Sequence, residues 1–482
     1  MKQFFTLAAL LSLSAIVSAQ TLTLEQGTVL TRRVVSDNVG YPAALALDPT
    51  GALWLTDRVT GRVLRIDPTT GAASTVLEIP LTSRPDVPGV TGGVFGLAIH
   101  PRFAEGEKYV FVSTTMADDR LVVERYWYSG DKLSNPHQVF EAVGVPHTLG
   151  LALEVLHDGT LLISVASFDT FDPIRLDNVN GKIIRVDMDG NAVASNPFYD
   201  ASKPTAPISY VYSYGHRNPL GIVQVPQDHP TLAGAVYSTE CGPFSFDEIN
   251  RIDRGNNYGW LHTAGYCSGD MQGYTCPLAT LNQAPAGLAY YGSTAIPEWK
   301  NSVLVGTLRG NGMVVAHIDD HGRITNVDPE RPTDDVLDVS NGGMVDLGIN
   351  GNRPRVIDVA VSADGRVYAA LYEGGNVRRG EVIALENPVV HSPLSVTADT
   401  ETGSEIHVSP LPVGDVLTVS LREPYTQRWT ASIVDLNGRV LTTATYSAAT
   451  TRVTLPTASL APGAYLLVVR QPSGVRTAPF IR

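Results

Sequence analysis

From Ala44 onward the chain alternates short apolar runs with polar turns that contain glycine. ALALDPTGALWLTD (Ala44 to Asp57), LEVLHDGTLLISVA (Leu153 to Ala166) and DVAVSADGRVYAAL (Asp358 to Leu371) each set two apolar stretches around an Asp-Gly or Thr-Gly turn, and GLAIHPRFAEGEKYVFVS (Gly96 to Ser113) is a longer-turned version. Alternating hydrophobics on either side of such a turn predict a β-hairpin. Further strands are predicted at Gly61 to Ile66, Gly181 to Val186 and Val303 to Ile318. After residue 20 no stretch holds helical periodicity for more than two turns, so the expected class is all-β. Hairpins repeated with long loops between them fit a β-propeller better than a sandwich, because radial blades protect strand edges and gather loops on one face around a central channel.

The pattern changes around Glu386 to Thr402, which is Pro-, Ser- and Thr-rich as a linker would be. Beyond it VLTVSL, TASIVDL and AYLLVV, with the turn LNGRVL, predict a small β-sandwich. From His391 to Arg482 there is no Lys and no Cys, and seven Arg stand against six acidic residues. At the other end, Lys2, the apolar run Phe4 to Val17 and the small-residue stretch Val17-Ser18-Ala19 predict a secretory signal peptide cleaved after Ala19. The expected organisation is a signal peptide over 1–19, a propeller over 20–388, a linker over 389–402 and a sandwich over 403–482. No later run of roughly 20 apolar residues predicts a transmembrane segment in the mature chain.

A net charge of −13 over 482 residues argues against nonspecific grip on nucleic acid or anionic membrane. Three cysteines, Cys241, Cys267 and Cys276, are too few for a disulfide-built scaffold, and no CxxC spacing supports a metal site. In an oxidising compartment the expected pair is Cys267 with Cys276, leaving Cys241 free.

Chemistry-bearing residues concentrate between Val211 and Trp260, which reads VYSYGHRNPLGI and then STECGPFSFDEINRIDRGNNYGW. The turn GHRNP carries an imidazole, a guanidinium and an amide together. Arg217 offers a rigid fork of donors suited to a carboxylate or a polarised carbonyl oxygen, or it pairs with an acid such as Asp247 or Glu248 while His216 is a satisfied core histidine. Gly242-Pro243 followed by Asp247 and Glu248 suits a hard cation, which takes backbone carbonyls and carboxylates, or is a plain turn with a solvated acidic pair.

VYSYGHRNPLGI, the ECGP turn, DEIN, NYGW, APAGLAYYGSTAIPEWKNSVLVGTLRG (Ala284 to Gly310), GGVFGLAIHPRF (Gly92 to Phe103) and GKIIRVDMDG (Gly181 to Gly190) together resemble the soluble pyrroloquinoline-quinone-dependent sugar dehydrogenases, the glucose/sorbosone dehydrogenase-like family. The resemblance runs in order over residues 25 to 388 and implies a six-bladed β-propeller with the quinone over a central pocket. It implies that His147, in His147-Thr148-Leu149-Gly150, is the catalytic base, taking a hydroxyl proton as hydride leaves the same carbon. Arg217 and Asn218 fall on cofactor contacts, with Arg217 polarising the quinone oxygen that gains charge. Gly242 and Pro243 match carbonyls that hold a calcium ion, and Glu248 and Tyr258 match positions linked to a second, structural calcium. Arg309, Arg353 and Arg355 match the cations expected around the quinone carboxylates. Thr91, Pro146, Leu220 and Cys241 depart from the family pattern on the substrate side.

DVLTV (Asp415 to Val419), DLNGRVL (Asp435 to Leu441), LPTASLAPGAYLLVV (Leu455 to Val469) and the ending Phe480-Ile481-Arg482 resemble the C-terminal sorting domain of the type IX secretion system. The two resemblances imply an enzyme exported through the periplasm to the surface or medium, oxidising an aldose to a lactone and passing electrons to an unknown acceptor. The alternative is a noncatalytic secreted propeller that binds glycan or protein ligands.

Overall fold

The computed structural model describes residues 20–81, 92–116, 120–143, 151–167, 172–243, 246–265, 273–309, 312–327, 337, 343–348, 353–373, 379–391, 406–409, 414–421, 424–435, 440–460, 464–471 and 474–482. The expected signal peptide over 1–19, most of the expected linker, Thr91, Pro146, His147 and Cys267 lie outside the described residues.

Six antiparallel sheets follow one another along the chain, each beginning with the strand nearest a common axis. Those inner strands are Pro42–Leu47, Gly93–Ile99, Leu153–Val155, Pro219–Gln224, Pro285–Tyr291 and Arg355–Val361. Each packs against the next, and the sixth packs back against the first, which makes a closed six-bladed β-propeller. All four hairpins expected from apolar alternation are the two innermost strands of a blade: the first, second, third and sixth. The only helices of α type among the described residues are Pro207–Tyr210 and Pro388–His391.

The ring closes through the N-terminus. Val29–Asp37 pairs antiparallel with Arg379–Glu386, and Gln20–Thr23 adds a fifth strand outside it. Arg33 bonds Glu386 at 2.8 Å, and Arg32 bonds Glu381, across that seam.

Beneath the inner strands a hydroxyl device repeats from blade to blade. Register shifts near the start of the first and second inner strands mark bulges, which take backbone N–H groups out of the ladder. Buried hydroxyls of the second strands receive these groups and donate to the next blade. Thr56 Oγ1 accepts from Ala44 N at 2.9 Å and donates to Phe95 O at 2.7 Å. Ser113 Oγ accepts from Gly96 N at 2.6 Å and donates to Leu151 O at 3.0 Å. Ser164 Oγ accepts from Ala152 N at 2.9 Å and donates to Pro219 O at 3.0 Å. Thr239 Oγ1 donates to Ala286 O at 2.5 Å. The fifth blade has Gly306 instead, where a Cβ would lie 2.5 Å from Val356 O. At the sixth, Asp358 Oδ2 accepts from Leu45 N at 2.8 Å and so reaches the first blade.

After the propeller, two further sheets enclose their own apolar core. One joins Ile406–Ser409, Val416–Leu421 and Arg452–Pro456; the other joins Val440–Tyr446, Trp429–Asp435, Ala464–Gln471 and Gly474–Ile481. Trp429, Leu417, Ile433, Leu467 and Phe480 fill the space between them, the β-sandwich expected from sequence.

Candidate active site

The inner strands surround a central cavity of about 560 Å³. Tyr41, Arg58, Leu151, Leu220 and Arg355 line it, and Glu154 and Asp358 line it as well. Glu154 Oε1 accepts from Gln224 N at 2.9 Å, and Asp358 accepts from Leu45 N and Val359 N, both at 2.8 Å. Burial pushes each carboxyl up to about 7, with the Asp358 charge adding to the effect at Glu154. Neither acid was singled out from the sequence as a channel residue.

The GHRN turn joins the outermost strand of the third blade, Val211–Tyr214, to the inner strand of the fourth. Its organiser is Glu240, at the end of Val236–Glu240 and 3% exposed. The Glu240 carboxylate accepts from Asn218 N at 3.1 Å, from Arg217 N, and from His216 Nδ1 at 3.1 Å. That leaves His216 Nε2 to meet Ser213 Oγ at 2.9 Å, while the Tyr258 ring stacks on the imidazole with centroids 4.6 Å apart. His216 is therefore the satisfied core histidine of the two readings open from sequence.

Arg217 does something else. Its guanidinium donates to Cys241 O at 2.9 Å and Gly242 O at 3.2 Å and lies over the Trp260 ring, 5.3 Å from its centroid. Asp247, expected as a possible partner, accepts instead from Gly242 N at 3.2 Å, Gln283 N at 3.1 Å and Ala284 N at 2.8 Å. Glu248 likewise accepts from Asn250 Nδ2 at 2.9 Å and Gly265 N at 2.6 Å. Asn218 Oδ1 is buried with no hydrogen-bond partner among the described residues, an acceptor left open beside Arg217. The close fit of the ECGP turn is steric: a Cβ on Gly242 would lie 1.7 Å from Phe246 O.

Glu240 and Glu248 are cross-strand neighbours, both buried. Desolvation, then the Glu240 charge, pushes the Glu248 carboxyl well above the usual range. The Tyr258 hydroxyl donates to Arg251 O and accepts from Asp253 N at 3.0 Å. The side chains of Glu248 and Tyr258 are thus engaged within the protein, and among the described residues no three His, Cys, Asp or Glu side chains converge as a metal cluster.

Cys241 N bonds Asn218 O at 3.1 Å, and its thiol lies 3.3 Å from Pro285 O. Burial pushes the thiol up to about 12, so it is an inert packing group whose carbonyl serves Arg217. Cys276 is disulfide-bonded and Cys241 is free, consistent with the expected pairing. Arg309 is tied to the same cluster: its N–H bonds Gln283 O at 3.4 Å, on the segment that Asp247 holds, and its guanidinium bonds Asn282. Arg355 lines the cavity from the start of the sixth inner strand. Arg353 is exposed two residues earlier, and no hydrogen bond among the described residues ties it to the cluster.

Sequence reading gave no role to Glu240, Ser213 and Trp260, although they lie within the quoted motifs, and passed over Arg58. Glu240 had a usable signal, since it stands directly before the Cys241-Gly242-Pro243 turn. Arg58 had none, because it reads as the end of an ordinary strand.

Residues 39–379 match the glucose/sorbosone dehydrogenase family, and residues 407–481 match the secretion system C-terminal sorting domain. Quinoprotein glucose dehydrogenase B of Acinetobacter calcoaceticus is 29% identical over 318 residues, covering 57% of this chain and 62% of that relative. Aldose sugar dehydrogenase YliI of Escherichia coli strain K12 is 26% identical over 390 residues, covering 76% of this chain and 95% of the relative. Among solved structures, the PQQ-bound form of aldose sugar dehydrogenase from Streptomyces coelicolor superposes with a TM-score of 0.55 at 26% identity, over 74% of this chain and 98% of that one. The apo form of soluble aldose sugar dehydrogenase from Escherichia coli gives a TM-score of 0.58 at 22% identity, over 74% and 99% of the two chains, a likeness of fold. The sorting domain marks this chain for type IX export to the cell surface or beyond. The chain belongs to the glucose/sorbosone dehydrogenase family of oxidoreductases.

Proposed function

We propose that this protein is an exported quinoprotein that oxidises an aldose at its anomeric hydroxyl to the lactone, with pyrroloquinoline quinone and calcium as cofactors. The observation that carries the reading is the Glu240-held turn: it sets Arg217 against the carbonyls of Cys241 and Gly242 and leaves Asn218 Oδ1 as an open buried acceptor. That donor and acceptor set fits the proposed groups. Arg217 and Asn218 would hold the quinone, Arg309, Arg353 and Arg355 would meet its carboxylates, and the carbonyls of Gly242 and Pro243 would hold the calcium. When bound, the quinone with its calcium supplies the two-electron acceptor for the sugar's hydride.

The chain's own residues do the rest. His147 takes the anomeric hydroxyl proton on a ring nitrogen. Arg217, always charged, stabilises negative charge that develops beside it, and the Glu240 contacts fix its backbone so that this costs no reorganisation. Glu248 and Tyr258 would lie at the second, structural calcium position, although their side chains are bonded within the protein. The catalytic propeller spans 20–388, a linker spans 389–402 and the sorting sandwich spans 403–482, after removal of 1–19. The test is reconstitution of the purified protein with quinone and calcium, followed by a sugar panel with an artificial electron acceptor. Turnover of aldoses is expected; no turnover together with no quinone binding defeats the proposal.

A further inference from the structure

Arg58 follows the second strand of the first blade and lines the central cavity, yet nothing in the site described so far uses it. Its guanidinium lies over two rings, with Cζ 4.8 Å from the Phe95 centroid and 5.7 Å from that of Tyr41. Its backbone N–H bonds Tyr41 O at 2.8 Å. Gly93, at φ +132°, gives it room: a Cβ there would lie 2.8 Å from Arg58 Cγ and 2.5 Å from Arg58 O.

Arg58 is only partly buried, but a guanidinium held between two rings ordinarily has a carboxylate beside it. The adjacent acid, Asp57, is engaged elsewhere. Its Oδ1 accepts from Tyr41 N at 3.0 Å, and its Oδ2 meets Thr60 Oγ1 at 2.6 Å and the Arg62 guanidinium at 2.8 Å. Arg58 forms no ion pair among the described residues, and its Nε is buried without a hydrogen-bond partner. Burial lowers its pKa from the ordinary value, opposed in part by the Tyr41 hydroxyl beside it.

A second cation stands close in the fold. Tyr41 stacks on Tyr372 with centroids 3.9 Å apart, and Tyr372 is the cross-strand partner of Arg355, which lines the same cavity. Arg355 also forms no ion pair among the described residues. The Tyr41–Tyr372 stack therefore links the partly buried Arg58 to the solvent-exposed Arg355, two cations without an ion pair among the described residues, at the seam between the sixth and first blades.

We propose that Arg58, with Arg355 as its neighbour across this stack, forms a carboxylate-binding subsite of the central cavity. The Phe95 and Tyr41 rings hold the guanidinium in place, so little rotamer freedom is lost when its donors engage the anion. The carboxylate belongs either to the quinone or to the sugar, in which case the substrate class is a sugar acid such as a uronic acid. The inference rests on the reading of the cavity as the quinone and sugar site.

The test uses the full chain with Arg58→Gln and Arg58→Lys, and three titrations: quinone in the presence of calcium, followed by absorbance, and glucuronate and glucose, followed by calorimetry. Arg58→Gln should weaken the ligand whose carboxylate it binds by about 10- to 100-fold, the scale of a charge-assisted hydrogen bond. Arg58→Lys should recover part of that loss. Loss confined to quinone assigns the subsite to the cofactor; loss confined to glucuronate, with glucose unaffected, assigns it to the substrate. If the wild type binds no quinone but binds glucuronate in an Arg58-dependent way, the cofactor reading fails and the subsite stands. Unchanged affinity for both quinone and glucuronate, or equal losses in the Gln and Lys variants, overturns the proposal.

Discussion

The Glu240 carboxylate and the His216 imidazole meet 3.1 Å apart in a fully buried contact that joins the third and fourth blades. The same carboxylate holds the backbone of Arg217 and Asn218, so the turn that carries the candidate cofactor contacts is fixed from below rather than by the loop's own sequence. Glu240→Ala strips three buried donors of their acceptor. It should cost about 3–5 kcal/mol of stability, as breaking a buried charged network does, and Glu240→Gln should cost less. Urea denaturation checks this; a loss below about 1 kcal/mol for Glu240→Ala would show that the contact organises nothing.

The hydroxyls between blades make a second prediction. Ser113→Ala and Ser164→Ala each leave a buried N–H and a buried carbonyl unpaired, so each should destabilise by about 1–3 kcal/mol. Gly306→Ser should not add a staple at the fifth blade, because its Cβ would collide with Val356 O. Denaturant midpoints that fall for the two Ser→Ala variants and also for Gly306→Ser are the expected result.

These two networks show where sequence reading stops. Short apolar runs around Asp-Gly and Thr-Gly turns identified the innermost hairpins, because strands buried on both faces appear in the chain as brief apolar runs bounded by turn residues. Arg217, Asn218 and Gly242 were legible as a polar cluster in one short stretch. The hydroxyls of Thr56, Ser113 and Ser164 were not, since a Ser or Thr inside an apolar strand looks like any other strand residue until the neighbouring blade supplies its acceptor. Arg58, Glu154 and Asp358 fall in the same class. Their surroundings are assembled from blades far apart in sequence, so burial and partner are properties of the closed ring and not of any local window.

The channel acids give a pH prediction. A carboxyl whose folded pKa lies above its unfolded value favours the folded state while protonated, and its penalty grows as pH rises through the folded value. For Glu154, raised from 4.5 to about 7, the penalty is small near pH 5 and nearly complete at pH 8. It amounts to at most roughly 3 kcal/mol, because the channel wall admits water. Glu154→Gln keeps an acceptor for Gln224 N and removes the charge. Its stability relative to wild type should therefore rise between pH 5 and pH 8; a constant difference across that range would refute the assignment.

His147 and Arg217 separate by kinetics. His147→Gln should lower kcat by about 100- to 10,000-fold while quinone affinity is retained, since only the base is lost. Arg217→Lys loses the planar guanidinium that lies over Trp260 and bonds Cys241 O and Gly242 O through one nitrogen, and should lower both quinone affinity and kcat. Parallel losses of affinity in the two variants would contradict the division of roles.

Deletion of residues 396–482 removes the sorting sandwich. The truncated chain should accumulate in the periplasm of a type IX-competent host, detected by fractionation, and unchanged release into the medium would contradict the sorting role.

The most direct test of the central claim is an absorbance titration of the purified full-length protein with pyrroloquinoline quinone, with calcium and again with a chelator. Saturable binding of one quinone per chain is expected, weaker when calcium is removed and in Arg217→Lys. No saturable binding with calcium present, or binding indifferent to both calcium and Arg217, would contradict it.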